Sequence, residues 1–351
     1  DVSMEQPPKI TDLRMKKDPR KDPVRVCVVG ARRVRNGTGP FLARQVVDAG
    51  AHLCAVIGTT HATAQEARDA LGEDGYQTEA YTSFEAMVNE TLPEAVIIAT
   101  PSGTHRPWLE CCLLHETHAL CEKPLLSAFD QDAELLPYRF AAMGRVLGEN
   151  CQWPFTLKAF NELHPNLDLS KATRFRMMLA PEFRGLSRWI ETMSHPLSML
   201  QAVAPGPAEL ENIRFHESGP SASDSRLNFV FSTVDRRINC EILMADTGER
   251  PRPAEYAWDD HICRRQVQLP SYDFEFDNGF RLEGAELEGS EAETPSRRIK
   301  AADPQVLCVE HFLSQVQEAR LSGSAPAAEE LSRRQRLLSV VLSAYAARCR
   351  A

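Results

Sequence analysis

The chain has 351 residues, of which 43% are hydrophobic and 25% charged, enough for two ordinary cores and too apolar for wholesale disorder. Forty basic against forty-nine acidic side chains leave a formal charge of −9, which argues against a general nucleic-acid binder. No apolar run approaches the ~18 residues that span a bilayer, so no membrane partner is expected.

Residues 1–23 are charged, proline-containing and without apolar periodicity, and read as a flexible N-terminal arm and not as a secretory signal. The rhythm then changes. Val24 to Val29 is a nearly continuous apolar run ending in Gly30, which suits a buried parallel strand. Helical spacing follows over Phe41–Ala49, closed by Gly50, and Leu53–Ile57 gives a second strand. Ala62–Leu71 and Phe84–Asn89 read as helices, and Ala95–Ala99 as another buried strand. Pro107–His115 is helical, His118–Cys121 a short strand, Gln131–Ala142 helical and Arg145–Gly148 a strand. Alternation over ~120 residues predicts an α/β doubly wound parallel sheet spanning 24–150.

After Asn150 the pattern shifts. Ala172–Leu179, Leu227–Thr233, Arg237–Leu243 and Tyr272–Leu282 read as strands with partial alternation, and one helix is expected over Glu191–Val203. Residues 246–300, rich in proline, glycine and charge, resist assignment. Val306–Arg320 and Ala328–Arg348 read as amphipathic helices. Residues 151–351 are therefore expected to form an α+β domain with a mostly antiparallel sheet.

The ten cysteines lie mainly inside apolar segments, as in Val26-Cys27-Val28, which predicts reduced, core-filling thiols and a cytoplasmic protein. Cys111, Cys112, His115, His118 and Cys121 crowd eleven residues, yet their spacing is not a standard zinc site and they straddle helix, turn and strand, so no metal is expected.

The first strand runs into Gly30-Ala31-Arg32-Arg33-Val34-Arg35-Asn36-Gly37-Thr38-Gly39-Pro40. Gly30, Gly37 and Gly39 would let backbone approach a pyrophosphate, and the helix beginning near Pro40 would aim its free N–H groups at it. The spacing is not G-x-G-x-x-G, so the position after the first strand carries the assignment. An NAD site usually has an acid at the end of the second strand, whereas here that end reads Ile57-Gly58-Thr59-Thr60. With Thr59 and Thr60 there, and Arg32 and Arg33 in the neighbouring loop, a 2′-phosphate finds donors and no carboxylate. NADP is expected over NAD.

Thr100-Pro101-Ser102-Gly103-Thr104-His105, followed by Glu122-Lys123-Pro124, resembles the glucose–fructose oxidoreductase / inositol dehydrogenase / MocA (Gfo/Idh/MocA) family, over roughly Val24–Val203 and again in the final helix. The resemblance implies a Rossmann domain, a second domain that walls the site, and a homodimer or homotetramer. It implies that Lys123 sits beside the nicotinamide and hydrogen-bonds the reacting oxygen, where an ammonium stabilises negative charge. Thr100, Pro101 and His105 would line the nicotinamide-ribose side, with Glu122 and Pro124 shaping the turn. The family's D-x-G-x-H element corresponds to Glu191-Thr192-Met193-Ser194-His195, with Glu in place of Asp and Met in place of Gly. His195 is then the acid/base and Glu191 a neighbouring carboxylate on the same helix face.

Arg184, Arg188 and Trp189 stand just upstream of that element, in place of the neutral glycine-rich loop common in the family. They are expected to contact substrate, with the arginines recognising an anionic group, or else to be surface residues. The combined expectation is an NAD(P)-dependent oxidoreductase interconverting a secondary alcohol and a ketone on a sugar, polyol or related polar small molecule. A non-catalytic NADP-binding sensor, or a reductase of an imine or C=C bond on the same fold, are the alternatives.

Overall fold

The apolar run after Pro23 forms β1 (Arg25–Val29), a strand with parallel neighbours on both sides. Its alternate residues serve two cores: Val26 and Val28 face one side of the sheet, Cys27 and Val29 the other. That two-sided burial makes the run continuous instead of alternating. The computed structural model describes residues 22–32, 37–127, 130, 132–216, 224–268, 273–279 and 297–348. The arm expected over 1–23 thus falls almost wholly outside the described residues, as do Arg33, Arg35 and Cys349.

The first domain continues with α1 (Gly39–Asp48), β2 (His52–Ile57), α2 (His61–Glu73), β3 (Glu79–Tyr81), α3 (Phe84–Thr91) and β4 (Ala95–Ile98). Then come α4 (His105–Leu114), β5 (His118–Cys121), α5 (Leu136–Ala142) and β6 (Leu147–Glu149). The six strands are parallel in the order β3-β2-β1-β4-β5-β6, with the switch point between β1 and β4, where this architecture opens its ligand crevice. Local chemistry sets several helix starts. Thr60 caps α2 in a reciprocal pair with Thr63, Ser83 caps α3 by accepting from the Ala86 N–H, and Pro40 occupies the first turn of α1. The helix expected from Gln131 begins only at Leu136: residue 131 is outside the described set, residues 132–135 form a turn, and Asp132 has φ +59°.

The second domain contains α6 (Leu157–Leu163), β7 (Arg174–Leu179), α7 (Gly185–Thr192), α8 (Ser194–Val203), β8 (Ala208–His216), β9 (Ser225–Thr233) and β10 (Arg237–Met244). It continues with β11 (Ala254–Trp258), β12 (His261–Gln268), β13 (Asp273–Asp277) and β14 (Arg298–Ala301). Their sheet runs β14-β13-β12-β11-β7-β10-β9-β8, antiparallel except for the parallel pair β7/β10. Alternation is cleanest in β9 and β10, where Leu227, Phe229, Phe231, Ile238, Cys240, Ile242 and Met244 are buried. Residues 246–300, unassigned from sequence apart from the strand at 272–282, supply β11 through β13 and most of β14. Their strands carry His261, Arg264, Arg265, Gln266 and Arg298 between prolines, so no apolar period is visible. Of the strand expected over Tyr272–Leu282, Asp273–Asp277 is present, while 272 and 280–282 lie outside the described residues.

The chain closes with α9 (Pro304–Ser322) and α10 (Glu329–Arg348). The division at residue 150 places both in the second domain. The structure separates them: Val309, Phe312, Leu313 and Val316 of α9 join the core on one face of the parallel sheet, with Leu42 and Val46 of α1. Leu337, Leu338, Val341 and Tyr345 of α10 join the core under the antiparallel sheet. Two apolar faces, 40 residues apart in sequence at most, thus bind the ends of the chain to different domains. Among the described residues the nine free cysteines are buried except for half-buried Cys111, and no helix is long and apolar enough to cross a membrane.

Candidate active site

Three loops leaving the carboxyl ends of β1, β4 and β5 meet at the switch point. Gly30 has φ +84°, and a Cβ there would lie 2.8 Å from the Ala99 carbonyl oxygen at the end of β4. A Cβ on Gly39 would lie 2.1 Å from the Gly30 carbonyl oxygen. Only hydrogen fits at both positions, so the loop and the start of α1 close onto each other. Thr38 precedes that helix without capping it; its hydroxyl instead donates to Glu122 Oε1. Among the described residues no side chain caps the first N–H groups of α1, an arrangement that suits an anion. Gly37 is half-buried in the same loop.

The two motifs after β4 and β5 are locked together from below. His105 is 0% exposed, with Nδ1 2.9 Å from the Pro124 carbonyl oxygen and Nε2 2.8 Å from that of Thr100. Its expected place lining the ribose side is corrected: a ring with both nitrogens on backbone carbonyls positions Thr100–Pro101 and Lys123–Pro124 and does not reach the crevice. Glu122 is likewise a brace, accepting from Thr38 and, at 2.8 Å, from Asn150 Nδ2. Pro124 is buried behind a cis Lys123–Pro124 peptide. Half-buried Thr100 accepts a 2.9 Å hydrogen bond from the Thr104 hydroxyl, and Pro101 is exposed. At the end of β2, Thr60 spends its hydroxyl capping α2 while Thr59 stays exposed; Arg32 is exposed and pairs with Glu66 at 2.8 Å.

Lys123 emerges between the domains and lines a cavity of about 170 Å³ together with Glu191, His195, Gln152, Trp153, Arg252 and Arg265. Its ammonium donates to the Glu191 carbonyl oxygen at 2.7 Å, with Glu191 Oε2 at 4.0 Å. Glu191 Oε1 in turn accepts from the Ser102 hydroxyl, so this one residue of the second domain contacts both first-domain motifs. Glu191 and His195 do not share one continuous helix as expected. Glu191 lies near the end of α7 and His195 near the start of α8, joined through Met193, and both still line the cavity.

His195 stands edge-on to Trp153, ring centroids 6.4 Å apart, and its Nδ1 is buried with no hydrogen-bond partner among the described residues. Burial, reinforced by the positive charges of Lys123, Arg265 and Arg334, pushes its imidazole well below the ordinary histidine range. The same burial and charges disfavour the protonated ring, which is therefore neutral at physiological pH.

A buried carboxylate behind the cavity ties the halves together. Glu149, at the end of β6, accepts from the Leu125 N–H at 2.9 Å, the Ser194 hydroxyl at 2.8 Å and Arg334 Nη1 at 2.8 Å. Burial alone would raise this carboxyl, but Arg334 and the hydrogen bonds outweigh it and hold it below the usual carboxylate range. Leu125 follows Lys123-Pro124 and Ser194 precedes His195, so one side chain links the segments that carry these two cavity-lining residues. Nothing local in Gly148-Glu149-Asn150-Cys151-Gln152-Trp153 marks Glu149 as the partner of a residue 185 positions away.

The substrate residues expected upstream of Glu191 are corrected. Arg188 is 1% exposed, donating to the Phe183 carbonyl at 2.9 Å and to Ser225 Oγ at 2.8 Å. Trp189 is 0% exposed and packs edge-on against Phe215 in the core. Arg184 is exposed and paired with Asp246. None of the three lines the cavity. A helix with one buried face turns Arg188 and Trp189 inward, and sequence proximity to His195 gave no information on that. Cys112, His118 and Cys121 are also buried apart in function: His118 Nδ1 accepts from the Val146 N–H at 2.8 Å. Among the described residues no group of three His, Cys, Asp or Glu side chains could hold a metal ion.

Residues 24–142 match the model of an oxidoreductase family with an NAD-binding Rossmann fold, Gfo/Idh/MocA. Over 104 residues the chain is 35% identical to D-xylose 1-dehydrogenase (NADP+) 2 of Haloferax volcanii, a stretch covering 29% of this chain and 30% of that protein. Solved structures share the fold across nearly the whole chain. A 3-ketoreductase from Actinomadura kijaniata in complex with NADP has a TM-score of 0.64 at 17% identity, covering 92% of this chain and 97% of that one. An inositol dehydrogenase homologue from Azotobacter vinelandii, complexed with NADH and myo-inositol, has a TM-score of 0.63 at 14% identity, covering 94% and 97%.

Proposed function

From the match of residues 24–142 to the Gfo/Idh/MocA model, we propose that the chain is a member of that oxidoreductase family and an NADP-dependent dehydrogenase interconverting a secondary alcohol and a ketone on a small, sugar-like molecule. The observation that carries this reading is the convergence of Lys123, Glu191 and His195 on one cavity between the domains.

The residues at the switch point fit a dinucleotide. Gly30 and Gly39 leave a cradle that a Cβ would fill, and the uncapped start of α1 offers N–H groups to a pyrophosphate. Arg32 and Thr59, with no acid at the end of β2, favour a 2′-phosphate. When bound, the nicotinamide supplies the hydride acceptor or donor. The protein's own groups do the rest. Lys123 spends one ammonium proton on the Glu191 carbonyl and keeps two for the substrate oxygen, where it stabilises alkoxide character in either direction. His195, neutral and with Nδ1 buried, takes the hydroxyl proton at Nε2 during oxidation and returns it during reduction. Glu191 holds the ammonium in place. The cavity lies below the ~300 Å³ lower end of typical drug-sized sites, which suits an occupant of monosaccharide size.

The test is a fluorescence titration with NADPH and NADH, followed by a panel of sugars, polyols and uronates with the oxidised cofactors. Turnover with NADP+ that disappears in Lys123→Ala supports the proposal. NADPH binding without turnover on any substrate would leave a sensor as the better description.

A further inference from the structure

We propose that Arg265, assisted by Arg252, forms an oxyanion subsite within the cavity, so that the substrate carries a carboxylate or phosphate beside its reacting carbon skeleton. The inference rests on the dehydrogenase reading above and specifies its substrate class.

The argument starts from sheet geometry. On β11 and β12 the residues Ala254, Tyr256, Trp258 and Cys263 are buried in the core beneath the antiparallel sheet. Arg265 is two residues beyond Cys263, hence on the same face, and pairs in register with Ala254. A guanidinium thus stands where the sheet otherwise places core side chains. Placing a charge on that face is costly unless a partner compensates it.

The protein supplies only part of that partner. Arg265 donates to the Arg252 carbonyl oxygen at 3.0 Å and lies 5.3 Å from the centre of the Trp153 ring. Among the described residues it has no carboxylate within ion-pair distance. Asp303 acts on it electrostatically from farther away, while Arg252 opposes it. Arg252, half-buried, shares Glu182 with Arg250, so one carboxylate serves two guanidiniums. The charged groups lining the cavity are then Lys123, Arg252 and Arg265 against Glu191, which Lys123 already occupies. Burial lowers Arg265 to about 10, which still leaves it cationic at neutral pH.

Trp153 connects this excess to the chemistry, its ring meeting His195 at 6.4 Å and Arg265 at 5.3 Å. An anionic group on Arg265 therefore shares the Trp153 indole, and one cavity, with the proton-transfer residue. The planar guanidinium matches a carboxylate or phosphate in two-point fashion, and it lies within cation–π range of the Trp153 ring.

The experiment compares glucose and xylose with glucuronate, galacturonate and glucose 6-phosphate, in wild type, Arg265→Met and Arg265→Lys, by cofactor reduction. We expect at least one anionic sugar to exceed its neutral counterpart by ~10-fold or more in kcat/KM, the uronates and the phosphate telling the two oxyanions apart. Arg265→Met should collapse that ratio by ~10- to 100-fold, mainly through KM, with Arg265→Lys in between. Thermal melts confirm that both variants fold. A neutral sugar equal or superior in wild type, or a preference that survives Arg265→Met, overturns the proposal. If the protein binds NADPH but oxidises nothing, the dehydrogenase reading has failed, and calorimetric titration of the cofactor complex with the same anions decides the subsite alone. Binding lost in Arg265→Met supports it; equal binding, or none in wild type, overturns it.

Discussion

The first domain brings polar groups to the site on loops that leave β1, β4 and β5, whereas the second presents them from the end of α7, the start of α8 and strand β12. In a parallel sheet every strand's carboxyl end faces the same edge, so Gly30, Thr100 and Lys123 gather there whatever their separation in sequence. In the second domain a side chain reaches the cavity or the core according to which face its element buries. Two arginines show the difference: Arg188, seven residues from His195, is packed under Phe183 and Ser225, while Arg265, seventy residues away, lines the cavity. Proximity to a motif is informative where topology fixes direction and uninformative where packing does.

The largest effect that sharpens this contrast falls on Lys123, the residue through which the loop-built half meets the other. Lys123→Ala is expected to lower kcat/KM by about 10³-fold, with NADPH affinity, read by fluorescence titration, retained within ~3-fold. Activity near wild type would remove Lys123 from the chemistry. His195→Ala should lose about 10²- to 10⁴-fold in the same steady-state assay.

Next comes the joint between the halves. Arg334→Met leaves the Glu149 carboxylate buried without its cation and should destabilise the fold by about 3–5 kcal/mol, measured by denaturant unfolding. The wild-type protein should also show the signature of a depressed carboxyl. Glu149 contributes stability above its unfolded value, about 4.3, and that contribution fades as pH falls through its lower folded value. Unfolding scans should accordingly show the Arg334→Met penalty shrinking below about pH 4; a penalty independent of pH would show that charge is not what Arg334 supplies.

The glycine cradle is the third place to press. Gly39→Ala sets a methyl against the Gly30 carbonyl and should cost ~1–3 kcal/mol of stability and about tenfold in NADPH affinity. Within the second domain, the depressed imidazole predicts that alcohol oxidation shows no histidine limb near pH 6.5 in its kcat/KM profile, because the basic form persists well below that pH. In Arg265→Met one of the opposing charges is gone, so the limb should move upward; an unmoved limb would place Arg265 outside the field felt by His195.

The smallest effects test the correction itself. Arg188→Met should lower the melting temperature by a few degrees while leaving KM for substrate within ~2-fold. Arg184→Ala, at an exposed ion pair with Asp246, should change stability by less than about 0.5 kcal/mol and KM not measurably. A large rise in KM from either would restore the region before His195 to the substrate site.

The sequence by itself determined the first domain almost completely. Continuous apolar runs such as Val26–Val29, helix starts at Thr60 and Ser83, and the order of glycine loop, Thr100–His105 and Glu122–Pro124 are local signals, and parallel topology carries them to one edge. It also singled out Lys123, Glu191 and His195, which the fold brings to one cavity. The tertiary structure alone decided the remainder. It withdrew His105 from the crevice by binding both its ring nitrogens, buried Arg188 and Trp189, and divided the last two helices between the domains. It also brought forward Glu149 with Arg334, and Arg265 with Trp153, pairs separated by 185 and 112 positions. Secondary structure and capping arise from neighbours in the chain. The exposure and charge environment of a side chain arise from whatever the rest of the molecule packs against it, and that information has no local form.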